Sequence, residues 1–419
     1  MLRNEFVLPI LCCCWLLFQI PGRSLGQESL VYPVHQKPFV AELKGFTQDW
    51  QVVFADGDRV SSLDMEDLVY WGGYQDRAER HQILLRDGSL VVADVTSISD
   101  GVLRMESAIT QQQEIPLEMV QAINLLPKFD DAERFAQIQQ LRHIDKRDAQ
   151  VWLANGDQLR GALTRLGNSA EKTGDDKSLQ TADVIVEGQL LSLPLESIVA
   201  VRFAGSRGNS EKTSAKALIG FDDGSLLYVT RIEIIEGAIS LHTDSGLVIK
   251  PRFAPVAPAA AITLVQSQSE NVVYLSDLKP VRASAVPVLD AKYDLQSDRS
   301  AIGAALSCRT GTFLKGLGMH GASNVVYTVD NSEYRRFAAE IAIDQSSGDG
   351  GSVVFRVFLL GSDNQWAAAF TSEIIRGGQS PMPVALELGE AKAIALAVEQ
   401  SERGDILDRA NWLNARLEK

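Results

Sequence analysis

Apolar and polar residues alternate with a period of two through the C-terminal third of the chain. Val325, Tyr327 and Val329 share one face, as do Phe337, Ala339, Ile341 and Ile343. Val353, Phe355, Val357 and Leu359 form a third set, Val384, Leu386 and Leu388 a fourth, and Ile394, Leu396 and Val398 a fifth. Such alternation predicts half-buried strands, because successive side chains of a strand point to opposite faces. Turns rich in Gly, Asp and Ser separate the sets, and the spacing predicts a sandwich of two sheets.

Residues 39–268 follow another pattern, a repeat of short apolar strands punctuated by turns. Arg86-Asp87-Gly88, Ala154-Asn155-Gly156 and Asp222-Asp223-Gly224 place their glycines 68 residues apart. Asp-Gly and Asn-Gly are strong hairpin signals, since the turn needs positive φ. Behind two of them, Ile115-Pro116-Leu117-Glu118 matches Leu193-Pro194-Leu195-Glu196 and leads into Val120–Ile123 and Ile198–Val201. Proline sets φ for a first helical turn, so each copy reads as strand, Asp-Gly turn, strand, turn, strand, Pro turn, strand. Phe54-Ala55-Asp56-Gly57 followed by Leu63–Trp71 reads as a shortened copy, and residues 247–264 depart from the Pro-Leu-Glu pattern. Trp50, Trp71 and Trp152 lie beside these strands and read as packing residues. Residues 167–174 read as a loop insertion, Ala132–Leu141 as a linker helix within a charged stretch, and residues 205–214 as a flexible connection. Pro and Ala in residues 254–263 mark the boundary before the sandwich.

The N-terminus reads as a secretory leader: Arg3, an apolar run from Phe6 to Phe18, Pro21, then Ser24-Leu25-Gly26 before a cut at Gln27. The run is short for a membrane span, which needs about 20 residues. Cys12, Cys13 and Cys14 would leave with it, so Cys308 alone remains and the domains rest on ordinary cores. The expected location is secreted or periplasmic, without stable membrane insertion.

The chain of 419 residues is too long for one ordinary core. The expected division is 1–26 leader, 27–127 first β region, 128–148 linker, 149–204 second repeat, 205–214 linker, 215–268 third repeat and 269–419 sandwich. Net charge is −14, which disfavours nucleic acid and anionic lipid as partners. Gly316-Leu317-Gly318-Met319-His320-Gly321 fits G-x-G-x-x-G, yet the residues after it alternate like a strand, so no helix N-terminus would meet a pyrophosphate. The sequence has no Walker A motif, no H-E-x-x-H and no G-x-S-x-G, and its histidines are scattered. The expectation is a protein that is not an enzyme.

Motifs of the C-terminal third occur in a recognisable order. Tyr274-Leu275-Ser276-Asp277-Leu278 opens it, followed by Lys315–His320, Tyr334-Arg335-Arg336-Phe337, Ala339–Asp344 and Gly350–Val357; Asp408–Leu417 closes it. This order resembles the NPCBM family, a carbohydrate-binding module found beside some glycoside hydrolases. The resemblance covers about residues 270–419. It implies a jelly-roll-like β-sandwich and a glycan partner. The overall expectation is a mostly β chain: repeated small β units, barrel-like or meandering, and then the sandwich.

Sugar binding needs an aromatic plane for the C–H face of the ring and polar groups for its hydroxyls. Trp366, in the polar segment Gly361–Trp366, is the stacking candidate, with Asn364 and Gln365 beside it. His320 is a candidate hydroxyl partner, and Tyr334, Arg335 and Arg336 could line a rim. Trp412 is expected to pack the ends of the sandwich. Asp344, Asp349, Asp405 and Asp408 are turn carboxylates that could hold a structural calcium. Two further readings are a structural or assembly protein, with protein partners on the repeats and the sandwich, and a glycan hydrolase with carboxylates scattered along the chain.

Overall fold

The computed structural model describes residues 28–142, 148–168, 180–205, 214–236, 238–251, 261–287, 291–329, 333–402 and 407–419. The leader expected at 1–26 and most of the 167–174 insertion and the 205–214 connection lie outside them. Among the described residues no helix is long and apolar enough to cross a membrane.

Twenty strands build the N-terminal part as four copies of one unit. The first copy holds β1 (Glu28–Pro33), β2 (Phe39–Phe46), β3 (Gln51–Asp56), β4 (Arg59–Asp64) and β5 (Leu68–Gly72). The second holds β6 (His81–Leu85), β7 (Leu90–Ser99), β8 (Val102–Ser107), β9 (Gln111–Pro116) and β10 (Val120–Asn124). After helix α1 (Asp131–Arg142) come β11 (Gln150–Leu153), β12 (Gln158–Asn168), β13 (Gln180–Val186), β14 (Gln189–Pro194) and β15 (Ile198–Arg202). The fourth copy holds β16 (Ala217–Phe221), β17 (Leu226–Ile235), β18 (Ala238–Thr243), β19 (Val248–Ile249) and β20 (Ile262–Ser267).

Within every copy the first strand pairs with both the second and the fifth, giving the spatial order 5-1-2-3-4. Each unit therefore has five strands, one more than the sequence pattern suggests. A single 3-10 turn precedes the fifth strand at Met65–Asp67, Leu117–Met119 and Leu195–Ser197. The proline motif marks this turn in two copies; the first copy makes the same turn after Asp64 without proline.

Hairpin chemistry is shared as closely as topology. Gly88, Gly156 and Gly224 have φ of 91°, 93° and 93°, the left-handed region where a Cβ is penalised. Asp87 Oδ1, Asn155 Oδ1 and Asp223 Oδ1 each accept the amide two residues on, at 2.8, 3.0 and 2.8 Å. The second strand of each copy bulges at Lys44, Thr96, Thr164 or Thr230, where the register slips by one. The three threonine hydroxyls donate to Arg104 O, Asp183 O and His242 O at 3.0–3.1 Å. A bulge bends its strand and strengthens the twist, which lets five short strands curl around an apolar centre.

The copies join edge to edge. β5 pairs with β20, β10 with β15, and β7 with both β17 and β12, so all twenty strands form one bonded sheet. Helix α1 is packed rather than a free linker. Asp130 Oδ1 caps its start by accepting the amides of Ala132 and Glu133, both at 3.0 Å. Leu141 packs with Leu84, Ala122 and Ala200 over the seam between the second and third copies.

The C-terminal strands are β21 (Val272–Tyr274), β22 (Arg282–Ala285), β23 (Gln296–Ser297), β24 (Leu306–Cys308), β25 (Gly311–Phe313), β26 (Gly316–His320) and β27 (Ser323–Thr328). They continue as β28 (Arg336–Ile343), β29 (Ser352–Leu360), β30 (Trp366–Thr371), β31 (Ile375–Arg376), β32 (Met382–Glu387), β33 (Ala393–Gln400) and β34 (Arg409–Glu418). One sheet runs β23-β26-β34-β28-β32 with β21 on β34; the other runs β22-β27-β33-β29-β30 with β31 on β29. The alternating sets point inward: Val325, Tyr327, Phe337, Ile341, Phe355, Val357, Ile394 and Leu396 are all buried between the sheets. Trp412 sits at the centre of this core, not at the ends of the sandwich. Its indole meets Phe355 of the facing sheet edge-on at 5.0 Å and Phe337 of its own sheet at 6.3 Å.

The sandwich is docked on the repeats through the outer face of its first sheet. Tyr32, Tyr70, Val34 and Val69 from the first copy pack with Val272 and Tyr274. Charged side chains on that face are thereby buried: Glu340 is 3% exposed, Arg416 5% and Glu418 0%.

Candidate functional site

The outer face of the second sheet is open. Directly paired residues on neighbouring strands share a face, so registers read out rows across it. One row is Trp366, Leu360, Ala393 and Thr328; the next is Ala368, Phe358, Ala395 and Val326. A third contains Thr371, Arg356, Ala397 and Asn324. Alanines at 393, 395 and 397 give β33 almost no side-chain height. The face is therefore a shallow trough, with Trp366, Leu360 and Phe358 along one flank and Thr328, Val326 and Asn324 along the other.

Trp366 is 46% exposed and is the most open tryptophan among the described residues. The β29–β30 hairpin holds it there. Asn364 turns the chain at φ 60°, Gly361 N donates to Gln365 O and Asn364 N to Gly361 O, both at 3.0 Å, and Gln365 N donates to Asp363 Oδ1 at 2.9 Å. These bonds satisfy the turn backbone locally, which rigidifies the start of β30. Lys392 Nζ reaches across to Ser362 O at 2.9 Å and Asn364 Oδ1 at 3.1 Å, and Ser362 Oγ donates to Glu390 Oε2 at 3.2 Å. An exposed indole thus follows a turn whose amide, ammonium and carboxylate groups are also exposed. Arg356 and Glu399, paired at 3.0 Å, lie further along the same face.

Asn364, Gln365 and Trp366 are consecutive and all exposed where the hairpin turn enters β30. The other expected residues do not join them. His320 is 1% exposed and its ring stacks on Tyr293 at 4.2 Å, so core packing and not solvent surrounds it. Tyr334 packs against the sandwich core. Arg336 lies at the seam with the repeats, 3.6 Å from the buried Glu418.

The aspartates also separate. Asp344 is buried; its Oδ1 caps the turn at Ser346 at 3.0 Å and its Oδ2 accepts Asn411 Nδ2 at 2.7 Å. Asp408 is buried and accepts Ser352 N at 2.8 Å, while Asp349 is exposed. Asp405 lies outside the described residues. Among the described residues no three His, Cys, Asp or Glu side chains gather as a metal set. Protein donors take up the carboxylates of Asp344 and Asp408, two of the four that were expected to face calcium.

Sequence reasoning missed the trough itself. Its signal was present in Ala393, Ala395 and Ala397, three outward positions of β33 that alternate with the inward Ile394, Leu396 and Val398. Trp50, Trp71 and Trp152 prove to be packing residues of the repeats: Trp71 is buried with Nε1 donating to Ala41 O at 2.9 Å, and Trp152 lies under Arg202 at 5.7 Å.

Comparison with known proteins places residues 271–418 in the NPCBM/NEW2 domain family. A 106-residue stretch is 34% identical to a protein of Renibacterium salmoninarum named as an endo-α-N-acetylgalactosaminidase. That stretch is 25% of this chain, and it spans 7% of the length of that relative. Among solved structures, the CBM51 module of Clostridium perfringens GH95 in complex with methyl-galactose is 25% identical, with a TM-score of 0.30, covering 35% of this chain and 99% of that one. The CBM51-2 and INT domains of Clostridium perfringens ZmpB, in complex with GlcNAc, are 19% identical with a TM-score of 0.31, covering 60% and 45%.

Proposed function

We propose, from the NPCBM/NEW2 domain at residues 271–418 and the open trough on its second sheet, that this protein is an exported, non-catalytic glycan-binding protein. The observation that carries the reading is Trp366: a half-exposed indole on a rigid hairpin, heading a row that falls away into alanine. A pyranose laid over the indole buries its C–H face there, while Asn364, Gln365 and Lys392 lie within the same hairpin region to meet ring hydroxyls. NPCBM modules are binding domains, which favours binding over turnover; residues 1–26 as a leader would deliver the protein to the periplasm or beyond.

A glycan array probed with the full chain and with Trp366→Ala tests this reading. Signals given by the full chain that vanish in the variant support it. A variant that loses none of the full chain's signals, or release of reducing sugar from a bound polysaccharide by the full chain, overturns it.

A further inference from the structure

Where the sandwich docks on the repeats, the two parts do not close completely. A cavity of about 480 Å³ lies between them, within the ~300–1,000 Å³ range of small-molecule sites. The repeats contribute Tyr32, Tyr70 and Gln266 to its wall, and the sandwich contributes Glu340, Asn414 and Ser380. Neither part encloses the space alone.

Among the described residues, Glu340 is the one charged group lining this space. Its Oε1 accepts Tyr70 Oη and its Oε2 accepts Asn414 Nδ2, each at 3.2 Å. A carboxylate offers roughly four acceptor sites, so two of them remain to be met. Arg416 does not meet them: Nε goes to Glu418 Oε1 at 2.9 Å and Nη1 to Asn414 O at 3.2 Å. Burial pushes the Glu340 carboxyl above its ordinary range, while the Arg416 charge pulls it back. Asn414 is itself placed unusually. It sits in the left-handed region, φ 48°, at a bulge of the central strand β34, and its amide donates to Lys315 O at 2.9 Å. The bulge turns the Asn414 side chain toward Glu340, the kind of re-aiming for which bulges recur beside binding sites.

The aromatic part comes from the repeats. Tyr32 and Tyr70 stack at 4.3 Å with planes 14° apart. Tyr70 is buried and Tyr32 is half-buried, and both line the cavity. An aromatic pair, a carboxylate with one donor on each oxygen and room to accept more, and two amide side chains, Asn414 and Gln266, are the complement of an uncharged polyol ring. An anion would face Glu340, and an organic cation would share a desolvated space with the field of Arg416.

We infer that the cleft between the first and fourth repeats and the sandwich is a second glycan site, open on one side, in which one neutral sugar residue donates two adjacent hydroxyls to Glu340 and packs against Tyr32. The inference rests on residues separate from Trp366 and lies on the opposite sheet of the sandwich. It deepens the glycan-binding reading by adding a site that needs both domains.

The test is titration of the full chain with simple methyl pyranosides (galactoside, glucoside and the N-acetylated hexosaminides), read by calorimetry and saturation-transfer NMR. The expected result is binding that survives Trp366→Ala but falls at least tenfold in Glu340→Gln and Tyr32→Ala. Ser380→Trp replaces an exposed residue at the wall and blocks the cleft without touching the core, so it serves where Tyr32→Ala loosens the docking; it gives the same loss. Thermal transitions monitored alongside separate lost binding from lost folding. The inference is overturned if no pyranoside binds the full chain, or if binding persists in Ser380→Trp. Binding abolished by Trp366→Ala alone would leave the trough standing and remove the cleft; the reverse pattern would remove the trough and leave the cleft.

Discussion

Ser89 and Ser225 hold two repeats together by exchanging the same bond. Ser225 Oγ accepts the amide of Val92 at 2.9 Å, and Ser89 Oγ accepts the amide of Tyr228 at 3.0 Å. Each serine follows the glycine of its hairpin, and each donor lies three residues beyond the opposite serine. The second and fourth copies are therefore related by a local two-fold axis, along which Leu90 pairs with Leu226. In the third copy the equivalent position is Asp157, which is exposed and makes no such exchange.

Both serines are fully buried, so neither amide has water as an alternative. Ser89→Ala and Ser225→Ala each leave one buried N–H without its acceptor, at a cost of about 1–3 kcal/mol. Because the two bonds are equivalent, the two variants should shift the urea midpoint by similar amounts and the double variant by more. Unchanged midpoints would show that the hydroxyls do not carry the seam.

Gly72 and Gly57 both have positive φ, 79° and 57°, but their surroundings differ. A Cβ on Gly72 would stand 1.9 Å from Thr263 O, inside the β5–β20 ladder that ties the first copy to the fourth. A Cβ on Gly57 would meet nothing within 4 Å. Gly57→Ala should cost only the left-handed penalty, about 1–2 kcal/mol. Gly72→Ala must also break the ladder, and a loss above about 3 kcal/mol is expected in denaturant unfolding. Equal losses would mean that the ladder yields at no cost.

Much of this architecture was written in local signals, and the limits of those signals are specific. The Asp-Gly and Asn-Gly turns are recoverable because their φ requirement falls on one residue. The bulges at Thr96, Thr164 and Thr230 are not, since a bulge exists only relative to the register of a neighbouring strand. For the same reason the first copy looked shortened. Asp56-Gly57 joins β3 to β4, a later hairpin than the one at Gly88, and β1 supplies the missing first strand. The fourth copy loses its proline motif where β19 shrinks to two residues. At the candidate sites, the exposure of Trp366 was legible because polar turn chemistry surrounds it. Glu340 was not: it occupies an outward position in an alternating strand, which reads as solvent-facing until another domain packs there.

Trp366 supplies a clean separation of binding from stability. Its side chain is nearly half exposed on an edge strand, so Trp366→Ala should change unfolding by no more than about 0.5 kcal/mol. Loss of the indole plane should lower affinity for any glycan held in the trough roughly tenfold or more, about 1.4 kcal/mol. Trp366→Phe keeps a smaller plane and should fall between the two. Equal affinities for all three proteins would disqualify the indole as the stacking surface.

His81 gives the second repeat a sensitivity to acid whose sign follows from its bonding. Its Nδ1 accepts the amide of Val95 at 3.0 Å, a role that needs an unprotonated nitrogen. Burial pushes its pKa below the ordinary imidazole value; Asp94, itself 3.3 Å from Arg80, pulls it weakly upward. The unfolded chain therefore takes up the proton first as pH falls. The stability contributed by neutral His81 is complete above the ordinary value near 6.5 and is lost between that value and the lower one of the folded state. The buried carboxyl of Glu340 and the half-buried one of Asp223, both raised by desolvation, act in the opposite sense, since acid relieves their charge. The informative quantity is thus the difference between wild type and His81→Asn, which keeps an acceptor but cannot titrate. Urea midpoints measured from pH 7.5 to pH 5 should fall more steeply for the wild type than for the variant. Parallel curves would mean that His81 keeps its proton balance on folding.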